Sequence, residues 1–254
     1  MNTRREFLGL LASASGAFLL PPELRAAVEE GVKLRIGALS DLHLDFGHSY
    51  GEYWKLERAL AYFRDQNVDA VAVSGDIANN GLVSEFEAFA KMWYGFFPGD
   101  RRRDGGKVER VFVFGNHDWS GTKRGKAIYG ETPYVDQVLA NDPKKCWDAC
   151  FHEEWKPIFK KEVKGFPFVG AHWSKGGDCN GRCESFVAGL GDFYQSIKGE
   201  LDAARPFFHV QHPHPRGTVH GTGVWGQDDG ESTKVLSAYP NAVAIGARNA
   251  SEDE

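Results

Sequence analysis

The sequence predicts an α/β fold whose strands run at least partly parallel. From Lys33 onward, short apolar runs rich in Val, Ile and Phe alternate with segments of helical hydrophobic period, in a β-α-β-α-β order. The 254 residues, 42% of them hydrophobic, suffice for one sizeable core with two layered sheets, but not for two comfortable domains.

Lys33 to Leu39 reads as a strand. Trp54 to Gln66 reads as a helix, with Leu56, Leu60 and Phe63 recurring at helical spacing. Val68 to Val73 is a second strand, and Val83 to Phe97 a second helix with Phe86, Phe89 and Trp93 on one side. Gly95 to Lys107 is a turn-rich loop, and Arg101-Arg102-Arg103, flanked by Asp100 and Asp104, reads as solvated. Val111 to Phe114 is a third strand. The stretch from Ser120 to Lys164 is less regular and carries Cys146 and Cys150 on a helix. Phe166 to Ala171, Phe207 to Gln211 and Ala242 to Ile245 are further strands, and Lys234 to Ala238 ends a helix.

The amino terminus reads as a twin-arginine export signal over residues 1–27. Arg4-Arg5 precedes Phe7-Leu8 and a weakly apolar stretch to Leu20 that is too short to be a comfortable membrane span. It implies the twin-arginine export machinery as a partner and a periplasmic or extracellular location. An oxidising compartment favours disulfides among the four cysteines, Cys146, Cys150, Cys179 and Cys183. Sequence does not choose their pairing, and a zinc site made by all four is the alternative. The formal net charge of -5, with no long basic run, argues against a nucleic-acid partner.

In open α/β sheets, ligands sit beyond the carboxyl ends of the strands. Four such ends carry metal-competent side chains: Asp41-Leu42-His43, Gly75-Asp76, Gly115-Asn116-His117-Asp118 and Gln211-His212-Pro213-His214. Strand alternation would put Asp41 and His43 on one side. A lone Asp-x-His reads more often as a capped turn or a surface pair, and a lone Gly-Asp as a turn. Gly-Asn-His-Asp is sharper, because it makes poor strand and poor helix. Their joint occurrence is hard to obtain from turn chemistry alone. His209 and His214 are ambiguous, and His172 reads as a pocket residue or a satisfied buried histidine. Gly226 to Gly230 reads as a surface turn, with a loop near the mouth of the site as the alternative.

These motifs, in this order, resemble the signatures of the calcineurin-like metallophosphoesterases, from about Lys33 to Ile245. The resemblance implies a two-sheet β-sandwich flanked by helices, with a domain over residues 32–246; the polar end at 247–254 reads by its composition as a disordered tail. It implies two divalent metal ions, with Mn, Fe and Zn equally compatible. Asp41 and His43 would hold the first, Asp76 would bridge, and Asn116 and His212 would hold the second. His117 would serve as the catalytic group facing a phosphate-ester substrate, oriented by Asp118.

The family pattern ends in Gly-His-x-His. At the corresponding place stands Gly246-Ala247-Arg248-Asn249, so the fold is expected to be C-terminally truncated relative to the family. Three explanations meet this departure: a frameshifted or truncated reading frame, a non-catalytic relic, or another ligand set using His214 or His220. The intact upstream pattern favours the first. The expected function is hydrolysis of a phosphate mono- or diester. The alternatives are an exported metal- or phosphate-binding relic and a purely structural exported domain.

Overall fold

The computed structural model describes residues 31–45, 50–119, 143–173, 188–218, 228 and 230–247. The chain divides into two units, Met1–Arg35 and Ile36–Glu254. The elements below belong to the second; the export signal and Cys179 and Cys183 lie outside the described residues.

Strands β1 (Ile36–Leu39), β2 (Ala70–Ser74) and β3 (Glu109–Val113) form a parallel three-stranded sheet in that order. Helix α1 (Tyr50–Asp65) connects β1 to β2, and α2 (Val83–Phe96) connects β2 to β3. All five residues of β2 are buried, as expected of a central parallel strand. The predicted helical faces are the ones that pack: Leu56 and Leu60 of α1 and Phe86, Phe89 and Trp93 of α2 are buried in one core.

The second sheet has four strands in sequence order: β4 (Ile158–Val163), β5 (Phe166–Ala171), β6 (Phe207–Pro213) and β7 (Ala242–Ala247). β4 and β5 form an antiparallel hairpin, whereas β5, β6 and β7 are parallel. The hairpin turns at Lys164-Gly165, both at positive φ (51° and 79°), the backbone that suits tight two-residue hairpins. Helices α4 (Leu190–Ile197) and α5 (Glu231–Leu236) lie between β5 and β6 and between β6 and β7 in sequence. The two sheets face each other, with β2 against β6 and β7, and β3 against β5 and β6.

Three local expectations are corrected. Cys146 and Cys150, on α3 (Pro143–Phe151), are free buried thiols. Four residues apart on one helix, they meet each other instead of stapling two segments, with sulfurs 3.9 Å apart against about 2.05 Å for a bond. Arg102 is not solvated: it pairs with the buried Asp69 and with Asp104, while its neighbours Arg101 and Arg103 stay exposed. β4 was hidden in the irregular stretch because its centre is Lys160-Lys161-Glu162. These charges find partners in Glu200 for Lys160 and in Glu109 and Glu153 for Lys161, which lets a polar segment hold the sheet edge.

Candidate metal centre

The loops after β1 and β2 continue side by side where the regular ladder stops. Asp41 N donates to Gly75 O (3.1 Å), His43 N to Asp76 O (2.9 Å) and Leu44 N to Ile77 O (3.0 Å). Asp41, His43 and Asp76 all adopt left-handed backbone, with φ of 54°, 45° and 52°. Such conformations are uncommon for side-chain-bearing residues and concentrate at functional sites. Asp41 and His43 therefore face the same site, as expected, but by this twist and not by strand alternation. Leu42 packs on the core beside them.

Two glycines make room. A side chain at Gly75 (φ 100°) would meet the His212 ring at 2.7 Å, and one at Gly115 would meet His212 Cγ at 2.8 Å and the Asp76 carboxylate. These close approaches bring the ends of β2, β3 and β6 together.

Among the described residues, two groups of donor atoms lie within 4.8 Å of one another: His43, Asp76 and His117, and Asp41, Asp76 and His212. Asp76 is common to both. His43 Nε2 lies 3.7 Å from Asp41 Oδ1 and 3.8 Å from Asp76 Oδ2, and His212 Nε2 lies 3.3 Å from Asp76 Oδ2. Asn116 Oδ1 is 3.1 Å from His212 Nε2. Two ligands each about 2.0–2.2 Å from a cation stand about 3–3.6 Å apart, close to these spacings. His43 Nδ1 is buried without a hydrogen-bond partner, an orphan that a buried imidazole ordinarily avoids. His212 donates Nδ1–H to Ser74 O (2.9 Å), which fixes the ring and turns Nε2 toward the carboxylates. The donor set thus fits two divalent cations sharing Asp76.

Electrostatics agree. Burial works to raise the Asp76 pKa, but His212 and His117 outweigh it and hold the carboxyl below its ordinary value. Burial would lower His212, yet Asp76 beside it lifts the ring to about 9. The hydrogen bond with Asp41, reinforced by Asp76, raises His43 against its own burial. A cation would replace the protons that these pairs now share.

His117 sits in a short 3-10 turn (His117–Trp119), its amide donating to Asp76 Oδ1 (2.8 Å). Its Nδ1–H donates to the backbone carbonyl of Asn79 (2.8 Å), which fixes the ring beside His43 and Asp76. Asn79, not Asp118, therefore orients the ring. The buried Asp118 spends both oxygens on backbone amides, Gly115 N at 2.7 Å and Ala78 N at 2.8 Å, and so ties the loops after β2 and β3 together. Burial, with Asp76 nearby, pushes its carboxyl up to about 8.

Of the other histidines, His172 is buried and accepts the Phe114 amide. His209 is buried between Tyr194 and Gln211. His214 turns Nδ1 to Ala247 O (3.3 Å) and stands in neither donor group, so it does not serve as the alternative ligand within the described residues. Residue 220 lies outside them. Sequence reasoning missed Asn79, which acts through its backbone, and took Asp228 for a surface residue, whereas it is buried.

The chain belongs to the calcineurin-like phosphoesterase family, whose model matches residues 34–228. No curated protein matches the chain. Among solved structures it is similar to TT1561 of Thermus thermophilus, at 15% identity over 85% of this chain and 83% of that one, TM-score 0.49. It is also similar to a dimetal phosphatase from Danio rerio, at 13% identity over 84% and 80% of the two chains, TM-score 0.49.

Proposed function

We propose that the chain hydrolyses a phosphate mono- or diester at a centre of two divalent cations. The observation that carries this reading is the sharing of Asp76 between the two donor groups. The resemblance would have Asp41 and His43 hold one cation and Asn116 and His212 the other, whereas the donor groups set His43 with His117 and Asp41 with His212 around the shared Asp76. When bound, the cations would supply positive charge to the phosphoryl oxygens and lower the pKa of an attacking water. His117, fixed through Nδ1 by Asn79, would protonate the departing oxygen through Nε2. Asp118 would keep the ends of β2 and β3 in register, so that Asp76 and Asn116 stay opposed.

Ala247 and Asn249 stand where the resemblance expects two more imidazoles, which favours a second reading: a cation- or phosphate-binding protein without turnover. The Arg4-Arg5 leader supports export by the twin-arginine machinery to the periplasm under either reading.

Metal content of the purified protein, measured together with turnover of p-nitrophenyl phosphate and bis-p-nitrophenyl phosphate, tests the proposal. About two cations per chain with turnover supports hydrolysis. Bound cations without turnover supports the second reading, and no bound cation sinks the hydrolase reading and the cation-binding form of the second.

A further inference from the structure

The residue that most often decides a ladder's geometry is the one that interrupts it. β6 pairs with β7 as Val210↔Ile245 and then as Pro213↔Ala247, so Gln211 and His212 together oppose the single residue Gly246. This is a β-bulge, a device that re-aims a side chain. Here the side chain is His212. Gly246 opposite it keeps the approach close: a Cβ there would stand 3.1 Å from His214 Cα and 3.4 Å from Gln211 O, tighter than usual contact.

A bulge loses ladder hydrogen bonds, so other groups must hold its shape. Gln211 Nε2 donates to Pro213 O (2.6 Å) and to Ser232 Oγ (3.0 Å), and lies 3.4 Å from Asp228 Oδ2. Gln211 Oε1 accepts from His209 Nε2 (2.7 Å), whose other nitrogen accepts from the Tyr194 hydroxyl (2.9 Å). Asp228 Oδ1 accepts the amides of Arg216 and Gly230 (both 2.9 Å), and Oδ2 accepts the amide of Ser232 (3.2 Å). Its own amide donates to His214 O (3.1 Å). One buried carboxylate thus clasps the chain leaving the bulge to the start of α5. Asp228 belongs to neither donor group.

We propose that Asp228 is a positioning residue of the metal centre: with Gln211 and Ser232 it locks the bulge that aims His212 at Asp76 and Asn116. The consequence for cation binding rests on the two-cation reading above; the consequence for the His212 ring does not.

The test uses the full chain, wild type beside Asp228→Asn and Ser232→Ala. Mn2+ is titrated calorimetrically into metal-free protein, and the His212 Nδ1–H resonance is followed by NMR in the same metal-free samples. Asp228→Asn should weaken Mn2+ binding about 10–100-fold, the usual effect of disturbing a ligand's support, and should shift or broaden the resonance. Ser232→Ala should do the same more weakly. Unchanged affinity and resonance in folded Asp228→Asn overturn the proposal, as does a lowered melting temperature with the resonance unmoved. Where Asp228→Asn does not fold, the same readings on Ser232→Ala decide. A wild type that binds none of Mn2+, Fe2+ and Zn2+ overturns the hydrolase reading, and the resonance alone then settles the positioning role.

Discussion

The His172 imidazole accepts the Phe114 backbone amide at 3.0 Å, while the next residue, Trp173, donates its own amide to Phe114 O at 3.1 Å. The end of β5 thereby grips the last residue before Gly115-Asn116-His117 and joins the two sheets beside the site. Replacing His172 with Leu leaves a buried amide without an acceptor and should lower stability by about 1–3 kcal/mol. Urea denaturation measures this, and an unchanged midpoint would show that the bond contributes nothing.

Burial, with Lys161 adding to it, lowers His172 to about 3. Burial also lowers His209 to about 4, against the opposing hydrogen bond with Gln211. Both rings are neutral when folded, so below about pH 6.5 the unfolded chain binds more protons. Their contribution is full above that pH and declines as pH falls toward the folded values, by about 1.4 kcal/mol per pH unit for each ring. Asp118, raised to about 8, acts with the opposite sign as pH climbs from its unfolded value. The comparison is therefore made by difference: unfolding midpoints between pH 7 and 5 should fall less steeply in His209→Gln than in wild type.

Removing the proton donor should separate chemistry from binding. His117→Ala is expected to lower kcat by about 10²–10⁴. Because His117 also stands in a donor group with His43 and Asp76, retained cation content in the variant assigns it to proton transfer and lost cation content assigns it to metal binding. Mass-spectrometric metal analysis beside phosphoester turnover reads both, and equal turnover in the variant would remove His117 from the mechanism.

Asp76→Ala makes the complementary case. A carboxylate common to both donor groups cannot be lost from one alone, so both cations should leave together. A variant that retains one cation at full affinity would show that the two groups are independent.

Alkylation tests the thiols. Iodoacetamide added without reductant should label Cys146 and Cys150 after unfolding in urea and leave them untouched in the folded chain, where both are buried. Peptides from the unfolded sample carrying a Cys146–Cys150 disulfide would contradict the free thiols.

The alternation of strands and helices was legible because each depends on apolar periodicity, and the cores under α1 and α2 follow it residue by residue. The candidate ligand motifs stand out in the sequence because they cluster just past strand ends. β4 was not legible, since its run of three charges reads as a polar loop, and two of the carboxylates that pair with it, Glu109 and Glu200, are distant in sequence. α4 was missed as well; it is only eight residues long. The supports of the site escaped for a different reason. Asn79 acts through a carbonyl, and Asp228 acts on backbone amides up to 12 residues away, which no side-chain pattern records.

The left-handed backbone at Asp41, His43 and Asp76 sets the site against the stability of the chain. Holding such conformations costs of order 1–3 kcal/mol each, a cost glycine would largely avoid. Glycine at any of the three would relieve that strain and remove a donor atom, so metal-competent chemistry and robustness compete for the same three positions.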